Sequence, residues 1–179
     1  MNRLTHLHSL PENACYAEMD SPVGKLTLIT SFQGLHAILW DTDRTNAAYE
    51  KVMATLIPSD NETTIQKTKK QLNEYFHGQR KRFDLPLVLH GTHFQTQVWE
   101  QLLKIPYATT ISYAQQAERI RDKNSARAVG TANGLNPISI IIPCHRVIGK
   151  NGHLSGFSGG TDKKASLLKL EQLYTSSQS

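Results

Sequence analysis

The chain has 179 residues, of which 39% are hydrophobic, 20% charged and 7% aromatic, and a formal net charge of +5. That composition predicts a packed core and excludes disordered and fibrous classes. The longest apolar run, residues 138–142, is interrupted by Ser139 and far short of the ~18 residues a membrane helix needs. The first residues, Met-Asn-Arg-Leu-Thr-His-Leu-His, lack a signal-peptide core. Two cysteines, Cys15 and Cys144, exclude a disulfide scaffold and set a cytoplasmic protein with free thiols as the expectation. The charge is lopsided. Residues 1–90 carry ten basic and ten acidic side chains, whereas residues 91–179 carry ten basic and five acidic ones. A polyanionic partner for the second half follows, with nucleic acid the first candidate.

In chain order, Ser21-Pro-Val-Gly24 reads as a turn, and residues 25–30 and 35–40 as strands joined at Gln33-Gly34 into a hairpin. Polar helices follow near 46–56 and 63–76, the second with Ile65, Leu72, Tyr75 and Phe76 on about one face. Residues 80–86 return to extended chain before Pro86. A boundary near 87–91 divides an N-terminal domain, 1–90, from a C-terminal domain, 91–179. Thr92 and Gln95 have capping-box spacing and open a helix over 94–103, with Phe94, Val98, Leu102 and Ile105 on one stripe. Ser112 and Gln115 repeat the box and open a helix to about Ile120. After a polar turn at 121–124, a small-residue helix over 125–133 completes a helix-turn-helix pattern. Its Ala126, Ala128, Gly130 and Ala132 leave slim flanks, and Arg127 is its one long cation. Asn136-Pro137 leads into the apolar segment 138–142, and a last helix spans about 162–174.

The chemistry gathers where that segment delivers Cys144, fixed by Pro143 and followed by His145 and Arg146. A thiol becomes a nucleophile as its thiolate, which an imidazole, a guanidinium or a helix N-terminus can favour. Glu171 on the last helix could orient the imidazole and complete a relay. In extended chain His145 and Cys144 would point to opposite faces, so a turn or a bridging water is required. Cys15 reads as inert. His6 and His8 lack partners at metal-ligand spacing, and His36, His77, His90, His93 and His153 show no pairing, so no metal is expected. The glycine-rich stretch 149–160 lacks the ending of a nucleotide phosphate loop; it reads as a loop whose backbone can approach a flat ligand.

Pro143-Cys144-His145-Arg146-Val147 resembles the active-site signature of the O6-alkylguanine-DNA alkyltransferases. Phe94-Gln95, Val98-Trp99, Ile105-Pro106, Ser112-Tyr113, residues 126–130, Asn136-Pro137 and residues 158–160 match the same family in order and spacing. The match is close over about 92–173 and loose over 15–90. The resemblance implies an α/β (α+β) fold, with a small ribonuclease-H-like sheet domain before a mainly helical helix-turn-helix domain. It implies single-turnover transfer of an alkyl group from O6-alkylguanine in DNA to Cys144, with O4-alkylthymine open as a second substrate. By the same resemblance His145 activates the thiol through a water, Glu171 orients it, Tyr113 protonates the leaving base and Asn136 braces the turn. Arg127 would enter the base stack, with Tyr113, Ser125, Ala126 and Gly130 against DNA in the minor groove. Val147, Phe157, Ser158 and Gly159 would form the base pocket. No cofactor and no membrane are expected, no metal-binding residues are assigned although metal binding stays open, and a monomer is the default.

Physical chemistry agrees, since a modified base must leave the stack to meet a cysteine in a pocket. Three departures stand out: Phe157 where the family commonly has tyrosine, Ala108 for a glycine and Ser166 for an aromatic residue. The last two read as packing changes. A cysteine hydrolase would carry its histidine far from the cysteine in sequence, a lesion-binding relative would lack the cysteine, and a regulatory helix-turn-helix protein would leave residues 143–146 unexplained.

Overall fold

The computed structural model describes residues 3–120 and 126–176, except the side chains of residues 5, 6 and 8. The turn expected at 121–124, the expected contact residue Ser125 and the imidazoles of His6 and His8 lie outside the described residues. The chain folds as two compact units, Met1–His90 and Gly91–Ser179.

The first unit is a four-stranded sheet with helices packed on it. Strands β1 (Cys15–Met19), β2 (Leu26–Ser31) and β3 (Gly34–Trp40) run antiparallel, and β4 (Ile57–Pro58) pairs parallel to β1, in the order β3-β2-β1-β4. The expected hairpin is β2–β3. Every position of both strands is buried, because apolar side chains leave on both faces. On one face Ile29, Ala37 and Leu39 join Leu4 and Leu7 of the 3-10 helix Arg3–Ser9 and Tyr49 and Val52 of helix α1 (Ala47–Met53). Leu28 and Ile38, paired in register, alternate to the opposite face. Helix α2 (Thr63–Phe76) packs against the sheet and buries Ile65, Leu72, Tyr75 and Phe76, the face its spacing predicts. Helix α1 is shorter than expected at both ends. Asn46 stays outside as its cap, accepting from Ala48 N–H, and the helix stops at Met53. The extended segment after α2 returns to the sheet, with Leu35 N–H donating to Pro86 O. Gly34 (φ +142°) permits this approach, since a Cβ there would collide with that carbonyl.

The second unit is mainly helical. Thr92 and Ser112 cap α3 (His93–Leu102) and α4 (Tyr113–Arg119) with the reciprocal boxes their spacing predicts. Val98, Leu102 and Ile105 are buried as expected; Trp99 is buried too, and its Nε1 donates to Ala132 O at 2.8 Å. Helix α5 (Ala126–Gly134) packs on α3 and α4. Gln116 and Asn133 join the last pair through reciprocal amide hydrogen bonds of 3.2 and 2.7 Å, both side chains fully buried. The two-residue strands β5 (Ile111–Ser112) and β6 (Val147–Ile148) pair in parallel, which sets the start of α4 beside the chain leaving Cys144. Helix α6 (Thr161–Ser176) closes the unit. Residues 138–142 are buried but folded into a turn: Ile142 N–H donates to Ile138 O, and Ile140 is left-handed at φ +76°. A β-branched residue in that region is strained. Among the described residues no helix is long and apolar enough to cross a membrane.

Candidate active site

Pro143 has φ −83° and ψ 63°, and Cys144 N–H donates to Ile142 O at 2.8 Å. This is an inverse γ-turn, which proline favours by fixing φ. It feeds a single 3-10 turn, Cys144–Arg146. The turn replaces the extended chain in which the two side chains would alternate, and Cys144 and His145 are both buried, at 1% and 0% exposure. Asn136 braces the turn. Its Nδ2 donates to Ile142 O at 2.8 Å and to Cys144 Sγ at 3.1 Å, while its Oδ1 accepts from Ile138 N–H at 3.0 Å. An amide donor aimed at sulfur favours the thiolate over the thiol.

His145 Nε2 lies 2.8 Å from Glu171 Oε1. Burial pushes the Glu171 carboxyl up, but the hydrogen bonds and charges of His145 and Arg146 outweigh it and hold the group down at about 2. A carboxylate only accepts, so Nε2 carries the proton and Nδ1 is the basic nitrogen. Burial pushes His145 below its ordinary value; Glu171 raises it, and Arg146 and Lys164 lower it. Nδ1 is buried and makes no hydrogen bond within the described protein. Arg146, which the sequence reading offered as a cation beside the thiol, instead grips Glu171. Its Nε is 3.2 and 3.1 Å from the two oxygens, its Nη2 2.9 Å from Oε1, and its Nη1 donates to Ile105 O at 2.7 Å. Ala108 N–H also donates to Oε2 at 2.8 Å. Ala108 is left-handed (φ +56°), so the glycine-to-alanine departure is a backbone matter rather than the packing change expected.

Tyr113 opens α4 and is half-buried, its hydroxyl donating to Ser155 O at 2.8 Å. Burial and the Cys144 charge raise its pKa, against the Ser155 hydrogen bond. Two glycines fit against it. A Cβ on Gly130 would sit 3.6 Å from two ring carbons, and one on Gly156 (φ +63°) only 2.9 Å from Oη. Phe157, which stands where the family commonly has tyrosine, is buried and meets the His145 ring edge-on, with centroids 6.5 Å apart. Ser158 Oγ is 3.2 Å from Ser139 Oγ, and Val147 and Gly159 are buried. On α5, Arg127, Ala128 and Thr131 are exposed and Ala126 and Gly130 half-buried.

Sequence reasoning missed two partners. Lys164 is fully buried, one turn before Leu167 and two before Glu171, so α6 presents Lys164, Leu167 and Glu171 inward. That i, i+3, i+7 spacing was the available signal, obscured by the neighbouring Leu168 and Leu170. The other is the pair His36–His90 in the first unit, whose imidazoles are hydrogen-bonded at 2.8 Å although 54 residues apart. No local pattern announces it.

The family model for the DNA-binding domain of 6-O-methylguanine DNA methyltransferase matches residues 93–173, and that for its ribonuclease-like domain matches residues 14–89. A methylated-DNA–protein-cysteine methyltransferase of Mycobacterium bovis is 44% identical over 157 residues, covering 88% of this chain and 92% of the relative. The crystal structure of the Mycobacterium tuberculosis O6-methylguanine methyltransferase superposes with a TM-score of 0.81 at 42% identity, over 90% of this chain and 94% of that one. A crystal structure of Mycobacterium tuberculosis OGT in complex with DNA superposes at 0.78 and 43% identity, over 89% and 93%.

Proposed function

Because the chain belongs to the 6-O-methylguanine DNA methyltransferase family, we propose that Cys144 is the cysteine onto which it transfers the alkyl group. The activity is that of a methylated-DNA–protein-cysteine methyltransferase, repair of alkylated DNA by direct transfer to the protein. The observation that carries the assignment is one 3-10 turn that holds Cys144 Sγ 3.1 Å from Asn136 and His145 2.8 Å from the buried Glu171. His145 Nδ1 takes the thiol proton through a bridging water while Glu171 fixes the tautomer. The thiolate attacks the alkyl carbon in line with the carbon–O6 bond, which breaks, and Tyr113 protonates the departing guanine. A thioether has no low-barrier return to thiol, so each molecule turns over once. The displacement consumes no redox equivalent, and the reading includes neither cofactor nor metal.

For Sγ to reach the alkyl carbon the base must be flipped out of the duplex. We assign that to α4 and α5, with α5 in the minor groove, Ala126 and Gly130 allowing close approach and the exposed Arg127 filling the gap in the stack. Ser125 belongs to the same assignment. The base pocket is given by Val147, Phe157, Ser158 and Gly159. Domain 91–179 would then hold both DNA contacts and chemistry, with 1–90 the ribonuclease-like domain, in a cytoplasmic monomer.

The test is intact mass after mixing with a duplex bearing one O6-methylguanine. A gain of one methylene equivalent, about 14 Da, mapped to Cys144 and saturating at one per protein is expected. A duplex with O4-methylthymine in a parallel arm reads the second substrate. Transfer retained by Cys144→Ala sinks the assignment.

A further inference from the structure

The even charge balance of residues 1–90 hides a polarised distribution. Residues 67–82 hold six cations, Lys67, Lys69, Lys70, Arg80, Lys81 and Arg82, against the single carboxylate Glu74, and the rest of residues 1–90 hold four cations against nine carboxylates. The fold gathers these cations. On α2 the exposed Lys67 and Lys70 lie about one turn apart, and Glu74 follows Lys70 by four positions, so all three share one side of the helix. Left-handed Gly78 (φ +72°) follows the helix and turns the chain back, with Gln79 and Arg80 N–H both donating to Glu74 O at 2.8 and 3.2 Å. Gln71 holds the returning segment, its Nε2 donating to Asp84 O and its Oε1 accepting from Asp84 N–H, both at 2.8 Å. Phe83 meets the Tyr75 ring at 5.4 Å between centroids. The loop is thus fastened to α2 at both ends, with Lys81 and Arg82 exposed between the fastenings. Two of the six cations are neutralised inside the unit: Lys69 Nζ is 2.6 Å from Asp60, and Arg80 Nε 2.7 Å from Glu74. Arg80 Nη1 also donates to Arg82 O at 2.8 Å, which steadies the backbone under Arg82. Lys67, Lys70 and Arg82 make no ion pair among the described residues.

We propose that Lys67, Lys70, Lys81 and Arg82 form a second DNA-binding surface, one that takes the phosphate backbone of a duplex without reading bases, in addition to the contacts assigned to α4 and α5. Like charges held at neighbouring positions repel, and anions lying between them relieve that cost. The loop is fixed in advance, so less entropy is lost when its cations engage a ligand. A lysine meets a phosphate as a point charge and an arginine as a two-pronged donor. The exposed neighbours Gln66, Asn73 and Gln79 are polar and Phe83 is engaged with Tyr75, so the face offers no apolar anchor for a membrane or for a protein hot spot. A polyanion held by charge alone fits, and duplex DNA is the polyanion on which this family acts. Contacts of that kind keep a protein on DNA whatever the sequence and let it slide, which suits a chain that must find one altered base among intact pairs. The DNA-repair reading supplies the identity of the polyanion; the charge distribution supplies the face.

Binding of an undamaged duplex several turns long is measured by fluorescence anisotropy against salt concentration for the full-length wild type and three triple variants. Lys67→Gln/Lys70→Gln/Arg82→Gln empties the face, and Lys67→Arg/Lys70→Arg/Arg82→Lys keeps its charge. Lys25→Gln/Arg44→Gln/Lys51→Gln removes the same three charges from exposed positions elsewhere in the first unit. Each phosphate contact contributes about 0.9 to the slope of log K against log salt, so emptying the face is expected to lower the slope by about 2 to 3, equally on duplexes of different sequence. The other two variants should stay within about 1 of the wild-type slope. Reaction with free O6-benzylguanine, which reads the Cys144 site without a duplex, should stay within about threefold in all of them. An unchanged slope in the emptied face, or an equal fall in either of the other triples, overturns the proposal. Vesicles of phosphatidylserine and phosphatidylcholine form a parallel arm, and a loss of vesicle binding with the DNA slope unchanged overturns it in favour of a lipid contact. Failure of the wild type to react with O6-benzylguanine would instead strike the Cys144 reading, which the slopes do not depend on.

Discussion

Glu171 collects His145 Nε2, the Arg146 guanidinium and Ala108 N–H on two oxygens, and the last donor is supplied by a residue held left-handed at φ +56°. An L-residue with a Cβ is strained there by roughly 1 kcal/mol relative to glycine. Ala108→Gly keeps the N–H where it is and removes the clash. Expected is a stability gain of about 1 kcal/mol, or roughly 2–4 °C in Tm for a chain of this size, with the transfer rate unchanged. Denaturant and thermal melts check it; a loss of stability would mean that the Ala108 methyl packs usefully. Residue by residue, Cys144, His145, Glu171, Tyr113 and Asn136 could be named as candidates beforehand because the family resemblance points to them, and the second unit pairs Cys144 with Asn136 and His145 with Glu171. Lys164 could not, since a helical lysine defaults to solvent and only tertiary packing shows that its face is the inward one. Arg146 was visible, but its partner was not: Glu171 lies 25 residues away and the turn that joins them is not a pattern in the chain.

Helices α3, α4 and α5 were readable from the start because capping boxes and apolar spacing are local signals. What fixes them against one another was not. The Gln116–Asn133 amide pair joins positions 17 apart, and polar residues at a helix–helix contact look from sequence like surface. Asn133→Ala strands the fully buried Gln116 amide and is expected to cost about 1–3 kcal/mol, read by denaturant unfolding. An effect under about 0.5 kcal/mol would mean that the amide finds another partner. Arg127 sits on the exposed side of the helix this pair anchors. Arg127→Ala should slow repair of a paired lesion by at least about tenfold, because the base must be expelled, while sparing reaction with free O6-benzylguanine. Equal losses on both substrates would remove the flipping role. In the first unit β1 and the 3-10 helix Arg3–Ser9 were unreadable for another reason. Cys-Tyr-Ala-Glu-Met lacks β-branched residues, and its pairing with β2 and β4 is supplied by neighbours.

At the scale of the whole molecule, the even charge balance of residues 1–90 gave no hint of chemistry in that half, yet it buries a titratable imidazole whose protonation burial opposes. His36 is fully buried, its Nε2 2.7 Å from Ser31 Oγ and its Nδ1 2.8 Å from His90 Nε2, with the two imidazoles stacked at 5.1 Å. Burial first, and the neighbouring His90 second, push its pKa down to about 4. Unfolded, the same imidazole titrates near 6.5, so the unfolded chain binds the proton that the folded one refuses. The stability His36 contributes is therefore complete above about pH 6.5 and lost as pH falls toward 4, at most about 3 kcal/mol. Glu171, held at about 2, loses its contribution only below about pH 4.5, and His145, also depressed by burial, acts in the same direction as His36. The two units can be read separately, because Trp40 lies in β3 and Trp99 in α3, both buried. In Trp99→Phe, the Trp40 fluorescence transition should move to lower denaturant as pH drops from about 7 to about 4, and adding His36→Gln should flatten that dependence. A Trp40 midpoint constant down to about pH 5 in the parent would mean that His36 accepts its proton within the folded sheet, and the stacked, hydrogen-bonded pair would then have to be read as one cationic unit.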